Sequence, residues 1–220
     1  MGTLEILIAI FIPAGVTVVL FYTMKKQREA ASQGILNPTI KKKETIKAVV
    51  KDLVFATDSE REKYLLEISK MHDTNIIAWF ESDLNYLNRL FGDNWNHSSV
   101  KVYLHTSLAA SEINPDIPMV LWGRHPLASV EDKLLAALPK VSVLVGMTSL
   151  DDALIQHFGG DKVKSLIGKM GHKEGEIIEH SMISASIRNA QEDLDKKVEN
   201  PISANSASDW FLLNANHLKK

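Results

Sequence analysis

The chain has 220 residues, 45% apolar and 24% charged, with a formal net charge of -2. That length allows one ordinary domain with an appendage, and the near-neutral balance excludes a general basic field for nucleic acid. It contains no cysteine, which excludes a disulfide framework, a thiolate metal site and a cysteine nucleophile.

From Ile6 to Met24, "ILIAIFIPAGVTVVLFYTM" runs nineteen residues without a charge, long enough to cross a bilayer core. A secretory signal would carry a basic n-region and a shorter apolar stretch. Here Glu5 is the only charged side chain before the run, while Lys25, Lys26 and Arg28 follow it. Positive charge collects on the cytoplasmic side. Residues 1–24 are therefore predicted to be a single-pass anchor, N-terminus outside and the bulk of the chain in the cytoplasm. Residues 25–45 form a basic linker broken by Gly34 and Pro38, and Lys41 to Lys43 extend a charge that suits anionic headgroups.

Ile46, Val49, Val50, Leu53 and Val54 recur at helical spacing and predict a helix. A second helix is expected after Thr57 or Ser59, each followed three residues on by a glutamate in capping-box fashion. From residue 74 short apolar runs alternate with amphipathic ones. "NIIAWF" (75–80), "VKVYLHT" (100–106), "MVLWG" (119–123) and "VSVLVG" (141–146) read as strands. "SDLNYLNRLF" and "SVEDKLLAAL" read as helices capped by Ser82 and Ser129. Continuous apolar strands separated by helices imply a parallel sheet covered on both faces. After Ser149 the pattern is helical, ending in a short helix capped by Ser206 or Ser208 around Trp210 and Phe211.

The chemistry is sparse. There is no G-x-x-x-x-G-K-[ST], G-x-S-x-G or H-E-x-x-H. "GGDKVKS" (159–165) follows a predicted helix instead of a strand, and reads as a turn and helix start. His157, His172 and His180 are not spaced to place two on one helical turn, so no metal site is expected. Ser149 with Asp152 reads as a helix N-cap. Ligands of open parallel sheets sit at the carboxyl ends of strands. That rule singles out His105 and Thr106 after one strand, and Arg124 and His125 after the next, as candidate ligand-binding residues.

The segment "SLDDALIQHFGGDKVKSLIGKMGHKEGEIIEHSMISASIRNAQ" (149–191) resembles SecA, the motor ATPase of bacterial preprotein translocation. The resemblance lies at the end of the second nucleotide-binding domain and the passage into the helical scaffold. It rests on Ser149-Leu150-Asp151-Asp152, Leu154, Phe158, Met170-Gly171, Glu174, Glu176, Ile178-Glu179-His180, Ile187 and Ala190-Gln191. Residues 74–148 follow in register, with Arg124-His125 matching an arginine–histidine pair of the family. The departures bear on function. Ala109, Ala110 and Ser111 stand where a glycine-arginine-glycine is expected, and no arginine occurs between 125 and 187. The P-loop domain is not in this sequence.

With the anchor and linker read from hydropathy and charge, and the rest implied by the resemblance, the expectation is an α/β protein in four parts: the anchor (1–24), the linker (25–45), helices plus a RecA-like domain (46–148) and a SecA-like helical region (149–220). It also implies a non-catalytic adaptor or binding module on the cytoplasmic face of a bacterial inner membrane, linked to protein export or another membrane complex. Its expected partners are the lipid bilayer and a protein. No cofactor, metal or catalytic residue is expected. Glu179, His180, Met182, Ile183 and Ile187 are candidate partner-docking residues. The alternative is an enzyme or receptor holding a nucleotide or phosphorylated ligand at His105, Thr106, Arg124 and His125. The anchor is directly testable: alkaline carbonate should leave the protein in the membrane pellet, and release into the supernatant would contradict it.

Overall fold

Five short runs pair side by side, all parallel: β1 (Lys51–Phe55), β2 (Thr74–Ala78), β3 (Val100–Leu104), β4 (Met119–Trp122) and β5 (Leu144–Ser149). Their order across the sheet is β1-β5-β4-β2-β3. The computed structural model describes residues 50–92, 95–138, 144–169, 176–178 and 181–218. The chain divides into Met1–Ile46 and Lys47–Lys220, and the described residues all belong to the second unit. The predicted anchor (1–24) and the whole predicted linker (25–45) therefore lie outside the described residues, among which no helix is long and apolar enough to cross a membrane.

In the inner strands β2, β4 and β5 side chains alternate between two buried faces, while the edge strands β1 and β3 are partly exposed and carry Lys51, Asp52 and Lys101. Leu53, Phe55, Ile76, Ala78, Val120, Trp122, Val145 and Met147 point to one core. Helices α1 (Asp58–Met71) and α2 (Glu81–Leu90) close it with Leu65 and Leu87. Val54, Ile77, Met119, Leu121 and Leu144 point to the other core. There α3 (Ala128–Ala137), α4 (Ala153–His157), α5 (Gly160–Lys169), α6 (Ser181–Lys197) and α7 (Ala207–Asn214) supply the cover. The result is a parallel-sheet, RecA-like domain with a helical C-terminal part.

Several local expectations change. The predicted helix over 46–54 is strand β1 where it is described. Leu53, Val54 and Phe55 are all buried, so the apolar spacing reflects two-sided burial and not a helical stripe. Ser82 and Ser129 lie inside their helices, and the cap positions belong to Phe80 and Leu127, neither with a side-chain cap bond. The last strand is displaced to Leu144–Ser149, with 141–143 outside the described residues. Asp152, not Ser149, occupies the cap position of α4. Thr57 and Ser206 do cap α1 and α7, accepting from the backbone N–H of Glu60 and Asp209.

The segment that resembles SecA packs on this domain itself. Ile178 forms an antiparallel bridge on the outer edge of β1, its N–H donating to the Val54 carbonyl at 2.8 Å. An edge strand's unpaired backbone is thereby partly covered. Helix α6 then lies against α3. Arg188 donates to both Asp132 carboxylate oxygens (3.1 and 2.6 Å). Asp195 accepts from Ser129 N–H (2.8 Å) and its hydroxyl (2.6 Å), satisfying backbone at the start of α3. Between these polar ends Ile187 and Leu194 are buried, while Ala185 and Ser186 face solvent. Ile187→Asp places an unpaired carboxylate in this core and should destabilise the domain by several kcal/mol, about 3 or more. Urea unfolding checks it, and an unchanged midpoint would mean that the stripe is not packed.

Candidate functional site

After β2 the chain runs out to β3 and returns past β2 to β4, so the winding reverses between β2 and β4. Such a reversal leaves a crevice at the carboxyl ends of the strands. Here it is lined by Arg61, Trp79, Phe80, Asp83, Trp122 and Asp152 among others, and holds about 50 Å³. Small-molecule sites are usually of order 300 Å³ or more.

Arg61, on α1, crosses the floor of the crevice. Its guanidinium donates to Asp152 (2.7 Å) and Asp58 (2.8 Å) and lies 4.0 Å over the Trp122 ring. Gly123 follows Trp122 with φ of +72°, a conformation that favours glycine. A β-carbon there would meet Asp152 at 3.4 Å, an ordinary contact, so the backbone conformation is what favours glycine. The Gly123 carbonyl accepts from the Trp79 indole at 3.1 Å. Burial and the neighbouring Asp152 push the Asp83 carboxyl up to about 6, against the pull of Arg61 and a Phe80 backbone hydrogen bond. Burial likewise raises Asp152, opposed by Arg61.

Arg124 is held on the sheet side of the same crevice. Its guanidinium meets Asp52 of β1 at 3.0 Å and Glu131 of α3 at 2.7 Å, and its side chain is only 7% exposed. Gly146 of β5 makes this possible, because a β-carbon there would lie 2.8 Å from Asp52 Oδ1 and 3.0 Å from Arg124 Nη1. Gln191 of α6 completes the set, its amide donating to Glu131 Oε2 and to the His125 carbonyl, both at 2.7 Å. Burial raises the Glu131 carboxyl, while Arg124 and Gln191 draw it back down.

His125 turns away into a ring cluster. It lies 5.7 Å from His105, 5.6 Å from Trp79, 5.8 Å from Phe80 in a stacked arrangement, and 6.3 Å from Trp210. Leu127 N–H donates to its Nδ1 at 3.0 Å. Burial, then His105, push His125 down to about 4. Burial also lowers His105, which hydrogen-bonds the Trp79 backbone.

Of the residues predicted to bind a ligand, His105 and His125 are therefore together, Arg124 is paired with two carboxylates, and Thr106 is exposed apart from them. Of the residues predicted to dock a partner, Ile187 is in the core and Ile183 half-buried against it. Glu179, His180 and the Met182 side chain lie outside what is described. Arg61, Asp83, Glu131 and Gln191 were not among the expected residues. Only Gln191 leaves a sequence signal, as a polar residue inside the apolar stripe Ile187–Leu194 of α6.

A His held neutral in the fold favours folding fully above its unfolded value of 6.5. That advantage is lost as pH falls from 6.5 toward about 4, and amounts to something on the order of 3 kcal/mol. Asp83 works the other way: its advantage is present below 3.8 and lost as pH rises through about 6. Urea midpoints at about pH 7 and about pH 5 should fall further in the wild type than in His125→Asn. Equal losses would show that His125 does not stay neutral in the fold.

No family model matches the chain. It is 53% identical over 51 residues to Protein translocase subunit SecA of Chlorobium phaeobacteroides, covering 23% of this chain and 5% of that protein. Against the SecA subunit of Chlorobium phaeovibrioides it is 51% identical over 55 residues, 25% of this chain and 5% of that protein. Against that of Cytophaga hutchinsonii it is 53% identical over 51 residues, 23% of this chain and 4% of that protein. Up to a quarter of this chain is thus similar to SecA translocase subunits, and the chain spans about 5% of the length of these relatives.

Proposed function

We propose that this chain is a membrane-anchored, non-catalytic SecA-like module whose domain acts by binding, on the cytoplasmic face of a membrane and in the setting of protein export. The observation that carries the reading is the state of Arg124. This is the cationic group best placed at the strand ends, and it is held between Asp52 and Glu131 beside a crevice of about 50 Å³. Phosphoryl transfer needs cationic charge directed at phosphates, together with a metal site. Here the two buried arginines, Arg61 and Arg124, each meet two carboxylates of this chain. The local likeness to SecA supports the export setting, and the uncharged run Ile6–Met24 supports the anchor.

A ligand-binding or enzymatic reading is favoured by one feature, the Asp83 carboxyl raised to about 6 inside the crevice, since such groups cluster at working sites. One assay separates the two. The full chain, purified in detergent, should show no ATP turnover above a buffer control. Turnover that disappears in Asp83→Asn, which leaves both arginine networks in place, would overturn the binding-module reading.

A further inference from the structure

Charge at the crevice does not balance. Arg61 is committed to Asp152 and Asp58, and Arg124 to Asp52 and Glu131. Asp83 is a fifth carboxylate beside these two guanidiniums, and it has no ion-pair partner among the described residues. It lies in the first turn of α2, where a Phe80 backbone group hydrogen-bonds it. The Nε atoms of both arginines are buried from solvent, so neither presents a spare donor at the crevice surface. The walls are apolar: Trp79, Phe80, Trp122 and Phe211 line the same space. Such walls keep water from a carboxylate and strengthen its field. Burial first, and then Asp152, raise the Asp83 carboxyl to about 6. At neutral pH it is therefore ionised, half-buried and uncompensated.

We infer that the crevice is a recognition pocket for a single organic cation, a primary ammonium on an alkyl stem such as a lysine side chain, held by Asp83 between the aromatic walls. The inference rests on the proposed role of the domain as a binding module, and gives that role a ligand class. The class is opposite in sign to a nucleotide or phosphorylated ligand. An anion would meet five carboxylates, with both guanidiniums already neutralised. An alkyl ammonium suits both parts of the lining. Its stem covers apolar surface while its head stays with the charge, and a cation is attracted to ring faces. A divalent metal ion suits neither, because it needs several oxygen ligands. Among the described residues no group of three or more His, Asp or Glu is placed to hold one. Entry of the cation takes the place of the proton that Asp83 accepts below about 6, so binding and the titration of this carboxyl are linked.

Isotope labelling of the aspartate carboxyls in the full chain, in neutral detergent, lets NMR follow that titration, with the Asp83 signal assigned by its loss in Asp83→Asn. Sodium chloride is the reference. At equal ionic strength, n-butylammonium chloride and a capped glycine-lysine-glycine peptide should each move the Asp83 midpoint from about 6 toward the ordinary 3.8. The glycine-glutamine-glycine counterpart and sodium phosphate should leave it where sodium chloride does. Ala207→Leu adds bulk to the crevice lining without changing any charge, and should abolish the effect of both amines. A shift with both probes assigns the pocket to a lysine presented on a protein, and a shift with butylammonium alone assigns it to a free amine. Equal midpoints in the amines and in sodium would overturn the site, as would a shift that survives Ala207→Leu. Either result leaves the absence of ATP turnover untouched, so the site can fail while the non-catalytic reading stands.

Discussion

The pairing of Arg124 with Asp52 and Glu131 is the constraint on which the rest of this domain depends. It joins the outer strand β1, the loop after β4 and helix α3 at one point, and Gln191 extends it to α6. A buried ion pair stabilises only if geometry and hydrogen bonding offset desolvation. Those conditions are met in part: Gly146 leaves room for Asp52 beside Arg124 and the Gln191 amide donates to the second oxygen of Glu131, while Arg124 Nε and Gln191 Oε1 are buried without a hydrogen-bond partner among the described residues. Arg188 with Asp132 and Asp195 with Ser129 repeat the α3–α6 connection on either side, nearer to solvent. Exposed pairs of that kind contribute little individually. The central network, together with Ile187 and Leu194, therefore sets where α6 lies.

From this follows what the strand ends can do. A cation meant for a ligand would stand open at the crevice, with carboxylates kept at a distance. Arg124 and Arg61 have the opposite surroundings, and the crevice between them is walled by Trp79, Phe80 and Trp122. The SecA-like helix takes part in the same arrangement, for its Gln191 closes the network on the side of the sheet away from α1 and α2. A segment similar to part of SecA translocase subunits here packs as internal framework.

How much of this could be read from the sequence varies with how local the deciding contact is. Strands β2 and β4 were legible because burial on both faces leaves apolar runs, as in Ile76-Ile77-Ala78 and Met119 to Trp122, and the half-buried edge strand β3 was legible from Val100, Val102, Tyr103 and Leu104 around the exposed Lys101. β1 was not, since Val49, Val50, Leu53 and Val54 fit a helical spacing equally well, and the partner that decides is β5, some ninety residues away: Lys51 pairs with Val145. Thr57 and Ser206 were legible as caps because their acceptors and donors lie three residues apart. Ser129 misled because Asp195, from another helix, takes the capping role. Arg124 and His125 were correctly placed at a strand end. Their partners Asp52, Glu131, Gln191 and Trp210 are distant in sequence, so whether they face a ligand or the core was beyond local pattern.

The central claim, that Arg124 is a structural cation, is tested most directly by a double-mutant cycle in urea. Arg124→Ala alone should cost about 3–5 kcal/mol, because it leaves Asp52 and Glu131 buried without their counter-charge. In an Asp52→Asn, Glu131→Gln background the same change should cost much less, giving a large favourable coupling. If Arg124→Ala left stability unchanged or raised it in the wild-type background, Arg124 would instead be a strained group held for a ligand, and the account given for the strand ends would be contradicted.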